Sequence, residues 1–467
     1  MNEMQQTEAV KSPGFPERHQ WLLELLYIAV FGLFCVLWAC QRDMYFNPDE
    51  YMRAQVPWYI YEHGTLPNGW MAEIRDQNWG FSYAFQPTFL PALIGSTFMR
   101  IANFFHSTRY TRMVALRLTS VTAGMGAVFM LFRIGGRVFD TRMKWVMTVL
   151  ISTIPQFIYL SSYYNCDMLC LFGASMVLYA WLRIFQDGWG WLNSLILSVG
   201  MSIIALSYYN GYGWILLSIV FFFLTPVLKI DEKADRKKMV RLFFYIVGLV
   251  FVMTGFFFIR NLVIYEGLDL LGSKSMNLSG EMYAIPELKP SIKTSLYEDG
   301  VSLWEMFTAR DHVYVTHVFR SFFGAFGYIM SYIPNLFYDF YKLAALLGGA
   351  GFACAAVSAL RRKTSAYEDK GFSLKKSVFL YILLCLSCLI VFGLHTYYSY
   401  MQDYQAQGRY DYPAMPAVAL IWATGIDWLR KRPKVVARIF CVFCALIPVA
   451  AFLTGFLRDD LAIFWLG

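Results

Sequence analysis

The stretch from Trp21 to Gln41, WLLELLYIAVFGLFCVLWACQ, carries a single charged side chain, Glu24. A helix that crosses a bilayer needs about 20 mostly apolar residues, so this stretch predicts a membrane span. The rest of the chain has the same character, since 58% of its 467 residues are hydrophobic and 15% are charged. Most of the cysteines lie inside apolar runs and suggest no disulfide framework. A soluble enzyme, a disulfide scaffold and a disordered chain are therefore excluded.

Further apolar runs of similar length follow the first one. They cover residues 113–132, 145–164, 167–185, 192–208, 211–228, 241–260, 335–360, 377–398, 409–429 and 438–457. We therefore predict an all-α polytopic membrane protein with about eleven transmembrane helices.

Basic residues are concentrated in the loops 133–144, 229–241, 361–376 and 430–438. Such clusters stay on the cytoplasmic side of a membrane, so the net charge of +8 is explained by orientation, and we expect no nucleic-acid partner. The apolar segment Gln86 to Phe105 begins with Pro87 and Pro91. Counting it as a span would place all four basic loops outside, so we predict a juxtamembrane or re-entrant helix.

This topology predicts a cytoplasmic tail, residues 1–20, and a single transmembrane domain, residues 21–467. Two long segments of that domain lie outside the membrane, a first outer loop at 42–111 and a second large outer loop at 263–334. The C-terminal helices occupy residues 335–467.

The sequence Asn47-Pro48-Asp49-Glu50-Tyr51-Met52-Arg53 follows the first span directly. One interpretation is structural, with Asn47 capping a helix and the two acids in its first turn. The other is functional, because a carboxylate pair at the outer interface could remove a proton from a hydroxyl group. A second acid, Asp167, stands where one span ends and the next begins, and it is either a helix cap or part of the same site.

Cationic and polar side chains at the same predicted depth could bind a lipid phosphate. The candidates for the phosphate are Arg260, Arg320 and Arg409, because the planar guanidinium group donates paired hydrogen bonds to phosphate. Candidates for binding the rest of a substrate or its lipid are Tyr209, Asn210, Gln407 and Tyr410.

Several of these pieces together resemble the GT-C superfamily of polytopic glycosyltransferases, which use sugars linked to polyprenyl phosphate, and within it a bacterial subgroup of predicted membrane proteins. The matching pieces are Pro48-Asp49-Glu50, Asn165-Cys166-Asp167, Arg260-Asn261-Leu262-Val263-Ile264-Tyr265, Ser321-Phe322-Phe323-Gly324-Ala325-Phe326-Gly327, and Gln407-Gly408-Arg409-Tyr410 with Pro413 and Pro416. They extend over most of the chain, and their order is more specific than any one of them.

The resemblance implies an integral protein of the bacterial cytoplasmic membrane whose catalytic site faces outward. It also implies that Asp49 acts as general base and that Asp167 shapes the site, and we expect Glu50 to position Asp49 or share its role. A glycan, a lipid-linked saccharide or a protein would be the acceptor. Some relatives have a glutamate that can bind metal where this sequence has Gln86, so a divalent metal ion stays open, with Asp49, Asp167 and His317 as candidate ligands.

Two other functions remain open on the sequence. A transporter or flippase of lipid-linked saccharides would also need aromatic surfaces and phosphate-binding arginines, although transporters favour charges near the bilayer midplane and repeated halves. A membrane scaffold would use Asp49 and Asp167 only as helix caps.

Overall fold

A computed structural model describes residues 19–231, 235–309, 313–328, 331–365, 367–431 and 435–459. Residues 1–18 of the predicted cytoplasmic tail lie outside this part of the chain. The described residues fold mainly into helices, as apolar segments must where no water is present to satisfy backbone groups.

The first helices are α1 (Gln20–Ala39), α2 (Glu50–His63), α3 (Phe89–Phe104), α4 (Arg109–Val138), α5 (Thr141–Ser152), α6 (Pro155–Ser162), α7 (Asp167–Asp187), α8 (Trp191–Ala205) and α9 (Tyr212–Val227). They are followed by α10 (Arg236–Ile264), α11 (Ser273–Tyr283), α12 (Leu303–Thr308), α13 (Tyr314–Gly324), α14 (Asn335–Arg362), α15 (Leu374–Met401), α16 (Met415–Arg430) and α17 (Val435–Asp459). A two-stranded antiparallel hairpin, β1 (Ala325–Phe326) and β2 (Ser331–Tyr332), follows α13.

Among the described residues, seven helices are long and apolar enough to cross a membrane, and the bent pair α5 and α6 would make an eighth. The seven are α1, α4, α7, α9 with the turn before it, α10, α14 and α15. The predicted all-α polytopic membrane fold is therefore confirmed, whereas the number of eleven crossings stays a prediction.

Three of the predicted spans contain shorter helices than expected. The run 145–164 is bent by 63° between α5 and α6. Pro155 causes this break because it has no N–H and forces Ile154 into a non-helical conformation, with ψ of 124°. The run 192–208 contains the 15-residue helix α8, and the run 409–429 begins with a 3₁₀ segment, Gly408–Ala414, before the 16 residues of α16.

The segment 42–111, for which the prediction is an outer loop with juxtamembrane helices, contains α2 and α3. The 16 residues of α3 span about 24 Å, which is less than the roughly 30 Å of a hydrocarbon core. Its start is held by a hydrogen bond from the backbone N–H of Leu90 to the carbonyl of Leu206, at 3.1 Å. The structure thus supports leaving Gln86 to Phe105 out of the span count.

Helices α4 and α7 lie at the centre of the bundle. In their most apolar windows 67% and 78% of the residues are buried, compared with 22% in α10, which faces outward. Arg117 lies near the start of α4 and Asp167 is the first residue of α7. The two central helices therefore bring charged side chains to one end of the bundle, beside the loop that follows α1.

Candidate active site

Asp49 is the residue that precedes α2, and its backbone is in the left-handed region at φ of 59°. This conformation is uncommon for any residue other than glycine. The Asp49 side chain makes no capping bond to the helix, and its Oδ2 instead accepts a hydrogen bond of 2.6 Å from Nη2 of Arg409. The alternative in which Asn47 caps a helix that begins at Pro48 is wrong, because the helix begins at Glu50.

Glu50 has a different environment from its neighbour Asp49. It is almost fully buried, with 1% exposed, and its carboxylate forms a two-point ion pair with Arg117 at 2.8 and 2.7 Å. The same carboxylate accepts hydrogen bonds of 2.7 Å from the Asn47 side chain and from the backbone N–H of Tyr164. Since these donors occupy both oxygens, the geometry favours the positioning role for Glu50 over a share in proton transfer.

A chain of hydrogen bonds connects this loop to the hairpin after α13. Asn47 accepts a bond of 2.8 Å from the Tyr159 hydroxyl, and that hydroxyl accepts a bond of 3.0 Å from the backbone N–H of Gly327. The side chain of Gln156 similarly accepts a bond of 2.9 Å from the N–H of Ala325. Residues of α6 thus hold two of the sequence motifs beside each other.

Asp167 and Arg53 complete the charged cluster around Asp49. Asp167 is 3% exposed, and its Oδ1 has no hydrogen-bond partner among the described residues. The charged groups that act on it are Arg409, Arg53 and Asp49. The structure therefore brings Asp49, Asp167 and Arg409, which are far apart in the sequence, into one site.

Burial raises the pKa of the Asp49 carboxyl group, but the positive charges of Arg409 and Arg53 lower it by more. The net pKa lies below the usual value for aspartate. Asp49 is consequently ionised at neutral pH, which is the state in which a carboxylate can accept a proton.

Arg409 is held by the 3₁₀ segment Gly408–Ala414. The backbone N–H of Gly408 donates to Oγ of Ser321 at 2.7 Å, and the Asn210 side chain donates to the carbonyl of Tyr410 at 3.3 Å. The Tyr412 hydroxyl donates to the carbonyl of Phe322 at 3.0 Å. These bonds fix the backbone on both sides of the arginine.

A buried histidine supports the same segment from α15. Nε2 of His395 lies 2.7 Å from the carbonyl of Gln405, and Nδ1 lies 3.1 Å from Oδ1 of Asp411. A carbonyl can only accept, so Nε2 donates to Gln405 while Nδ1 faces the Asp411 carboxyl group. The pair therefore connects both ends of the segment that carries Gln407 and Arg409.

The close approach at Gly408 provides a test of this packing. A Cβ atom at Gly408 would lie 2.3 Å from the carbonyl oxygen of Val318 and 2.4 Å from the backbone nitrogen of Phe322. We expect Gly408→Ala to lower the free energy of unfolding by about 1–3 kcal/mol, because backbone atoms cannot move aside as a side chain can. Gly393→Ala in α15 is the control, since a Cβ there meets no atom within 4 Å. Equal thermal unfolding temperatures for the two variants would contradict this packing.

The other two predicted phosphate ligands lie in different surroundings. Arg260 is near the end of α10, donates to the carbonyl of Pro67, and lines a narrow cavity together with Tyr83. The Tyr83 ring lies 4.1 Å from the guanidinium of Arg53, so Tyr83 stands between this cavity and the charged cluster.

Arg320 is not joined to this cluster by any described contact. Its guanidinium lies 4.4 Å from the ring of Tyr332 and 4.9 Å from that of Tyr338, and it donates to Asn335 at 3.3 Å. Arg320 therefore lies beside the hairpin and the start of α14.

The predicted substrate-binding residues surround Arg409. The Tyr410 ring lies 5.0 Å from the Arg409 guanidinium, and Tyr208 packs against both Tyr209 and Tyr410. Gln407 donates from Nε2 to the side chain of Gln405 at 2.7 Å. Aromatic faces and amides of this kind suit a sugar, which has apolar faces and hydroxyl edges.

The candidate metal ligands Asp49, Asp167 and His317 do not form a close ligand group within the described residues. A group of three potential ligands does occur at Glu62, His63 and Glu73, which are exposed side chains in the first outer loop. The structure therefore gives no reason to assign a metal ion to the site at Asp49.

Reasoning from the sequence missed Arg53, Arg117, Tyr159, His395 and Asp411. A signal existed for Arg117, because an ionisable residue inside an apolar run usually has a buried partner. The sequence also held a signal for Arg53, because a residue four positions after Asp49 on a predicted helix lies on the same face. The pairing of His395 with Asp411 depends on how α15 meets the next segment, which local spacing does not reveal.

The chain was compared with known proteins. No family model matches it, and no curated protein matches its sequence. Solved structures do match. The oligosaccharyltransferase AglB from Archaeoglobus fulgidus, in complex with an inhibitory peptide and a dolichol-phosphate, has a TM-score of 0.56 at 14% identity, over 95% of this chain and 56% of that chain. The present chain thus spans little more than half the length of that enzyme.

ArnT from Cupriavidus metallidurans, bound to undecaprenyl phosphate, has a TM-score of 0.50 at 15% identity, over 96% of this chain and 73% of that chain. Both structures are of the GT-C type. The similarity covers nearly the whole chain. The protein is therefore a polytopic membrane protein with the GT-C fold, as the resemblance of its loop motifs predicted.

Proposed function

We propose that the protein is an inverting glycosyltransferase that moves a sugar from a polyprenyl-phosphate donor to an acceptor hydroxyl group. The observation that carries the proposal is the pair of Asp49 and Arg409 at 2.6 Å, beside the unpartnered oxygen of Asp167. The pair combines a base for the acceptor with a cation for the donor phosphate. The solved relatives support this choice of donor, since one was determined with a dolichol-phosphate and another with undecaprenyl phosphate.

In the proposed reaction the acceptor oxygen attacks the anomeric carbon of the sugar while Asp49 takes the hydroxyl proton. The bond from that carbon to the phosphate oxygen breaks, and its electron pair leaves with the phosphate. Attack from the face opposite the leaving group inverts the anomeric centre. The donor is a phosphodiester with one negative charge and the product is a monoester with two, so the site must stabilise a charge that grows during the step.

Arg409 is suited to that task. It is buried, its Nε has no hydrogen-bond partner among the described residues, and a bound phosphate could accept from it. Asp167 would orient the sugar, because its unpartnered Oδ1 can accept a hydrogen bond from a sugar hydroxyl group. The rings of Tyr209 and Tyr410 would pack on the sugar or its lipid.

We also propose that residues 21–467 form one catalytic domain of a bacterial cytoplasmic membrane, with the site on the outer face. Arg117 lies near the site and Arg137 lies at the far end of α4. Along the helix axis the two residues are about 30 Å apart, which equals the thickness of a hydrocarbon core. At that far end Arg430 pairs with Asp140 at 2.7 Å, so the end of α16 lies beside the basic loop at 133–144. Their positive charge supports the assignment of that end to the cytoplasm.

The test is sugar transfer by the purified protein in detergent, with a panel of radiolabelled polyprenyl-phosphate sugars as donors and extracted membrane lipids as acceptors. We expect labelled product with at least one donor, with inverted anomeric configuration. Saturable binding of donors without any transfer would favour a transporter of lipid-linked saccharides. Absence of both binding and transfer would contradict the proposal.

The pH profile tests the assignment of Asp49 as the base. Because the Asp49 pKa is held below the usual range for aspartate, about 3.9, we expect kcat/KM to stay constant down to that range and to fall only below it. The profile of kcat should fall at a higher pH, since a bound phosphate would share Arg409 and raise the Asp49 pKa. An acid limb of kcat/KM near neutral pH would identify another group as the base.

A further inference from the structure

Arg53 is a buried cation whose partners are weak. It lies on α2 one turn after Asp49 and is 9% exposed. Its Nη1 contacts Sγ of Cys166 at 3.1 Å, and its guanidinium lies 4.1 Å from the ring of Tyr83. The nearest oxygen of Asp49 is 3.9 Å from Nη2, beyond the length of a hydrogen bond.

This environment is unusual for an arginine. A guanidinium group has five N–H donors, and a thiol is a weak acceptor for them. A buried cation is expensive unless charged or strongly polar acceptors surround it. Arg117 in the same structure meets that requirement through Glu50 and two carbonyl groups, whereas Arg53 does not.

The charges around the site indicate what could complete the environment of Arg53. The charged groups that act on Asp49 and Asp167 in the described part of the chain are Arg53, Arg409 and the two acids themselves. A phosphodiester bound there would add one negative charge, so that the two arginines would face three negative groups. Without Arg53 a single arginine would oppose all three negative groups.

We propose that Arg53 is a second phosphate-binding residue, which together with Arg409 holds the phosphate of the lipid donor. This inference rests on the proposed function and adds a residue to the same site. The two guanidinium groups would act on the oxygen atoms of the phosphate from the side of α2 and from the side of the segment Gly408–Ala414. The second negative charge that forms on the leaving monoester would then meet two cations.

The experiment measures binding of undecaprenyl phosphate to the purified full-length protein in detergent. Undecaprenol, which has the same lipid chain and no phosphate, is the matched ligand, and inorganic phosphate is added as a competitor to separate the headgroup from the chain. The variants are Arg53→Met and Arg53→Lys. Arg183→Met is the control, because Arg183 lies on the same central helix as Asp167 but near its other end, where it bonds Asn193 at 2.6 Å.

We expect Arg53→Met to weaken undecaprenyl phosphate binding by about tenfold to a hundredfold, the range for losing hydrogen bonds to a charged group. Arg53→Lys should weaken it less, and undecaprenol binding should not change in either variant. In transfer assays KM for the donor should rise while KM for the acceptor stays constant, a separation that a structural role would not produce. Arg183→Met should bind both lipids as the wild type does.

Two results would overturn the inference and are distinguishable from each other. Normal undecaprenyl phosphate binding by a folded Arg53→Met variant would overturn it alone and leave the proposed function standing. Failure of the wild type to bind undecaprenyl phosphate would overturn the proposed donor as well. If Arg53→Met does not fold, Arg53→Lys decides, since wild-type binding and wild-type KM for the donor in that variant would also contradict the two-arginine site.

Discussion

Asp49→Asn is expected to lower sugar transfer by about 10²- to 10⁴-fold, the usual contribution of a general base. Asparagine has almost the same shape, but it cannot take the proton of the acceptor hydroxyl group. Binding of undecaprenyl phosphate should be retained or become tighter, because Arg409 loses the carboxylate that it contacts at 2.6 Å. The loss should therefore be in kcat, and single-turnover transfer with saturating donor would measure it.

The matched control for this variant is Glu73→Gln. Glu73 belongs to the same outer loop, but it is exposed and pairs only with His63 at 2.8 Å. The Glu73→Gln variant should transfer sugar at the wild-type rate. Unchanged transfer in a folded Asp49→Asn variant would refute Asp49 as the base and direct attention to Asp167, the other acid of the cluster.

Much of the fold could be predicted from the sequence because lipid imposes a simple rule on composition. A run of about 20 apolar residues is typical of a span, and every predicted run contains a helix. What composition does not reveal is where a run breaks. Pro155 interrupts one run, yet Pro448 lies inside α17 without ending it, so a proline alone does not determine the outcome.

The site was predictable to the extent that its residues lie in recognisable motifs. The motifs at Asp49, Asp167 and Arg409 do meet in the structure, although their chemical roles stay predictions. The motif at Arg320 gave a candidate phosphate ligand. In the structure Arg320 instead contacts Tyr332, Tyr338 and Asn335. A motif indicates that a segment matters and does not say which of its side chains faces the site, because that depends on how helices rotate when they pack.

The second large effect is on stability, where Arg117→Met is expected to lower the free energy of unfolding by about 3–5 kcal/mol. Arg117 is completely buried and bonds both oxygens of Glu50. It also donates to the carbonyl groups of Ala39 at 2.6 Å and Arg42 at 2.7 Å, where α1 ends. Removing it leaves an unpaired carboxylate in the interior and frees the loop that carries Asp49, so thermal unfolding in detergent should shift markedly downward.

A second substitution distinguishes the charge from the shape of this pair. Combining Arg117→Met with Glu50→Gln should recover part of the lost stability, because the amide carries no charge to bury and its single oxygen can still accept from the N–H of Tyr164. The control is Arg137→Met on the same helix, since Arg137 pairs with an exposed Asp187 at 2.9 Å and such surface pairs contribute about 0–1 kcal/mol. Equal unfolding temperatures for Arg117→Met and Arg137→Met would mean that the buried pair does not hold the loop in place.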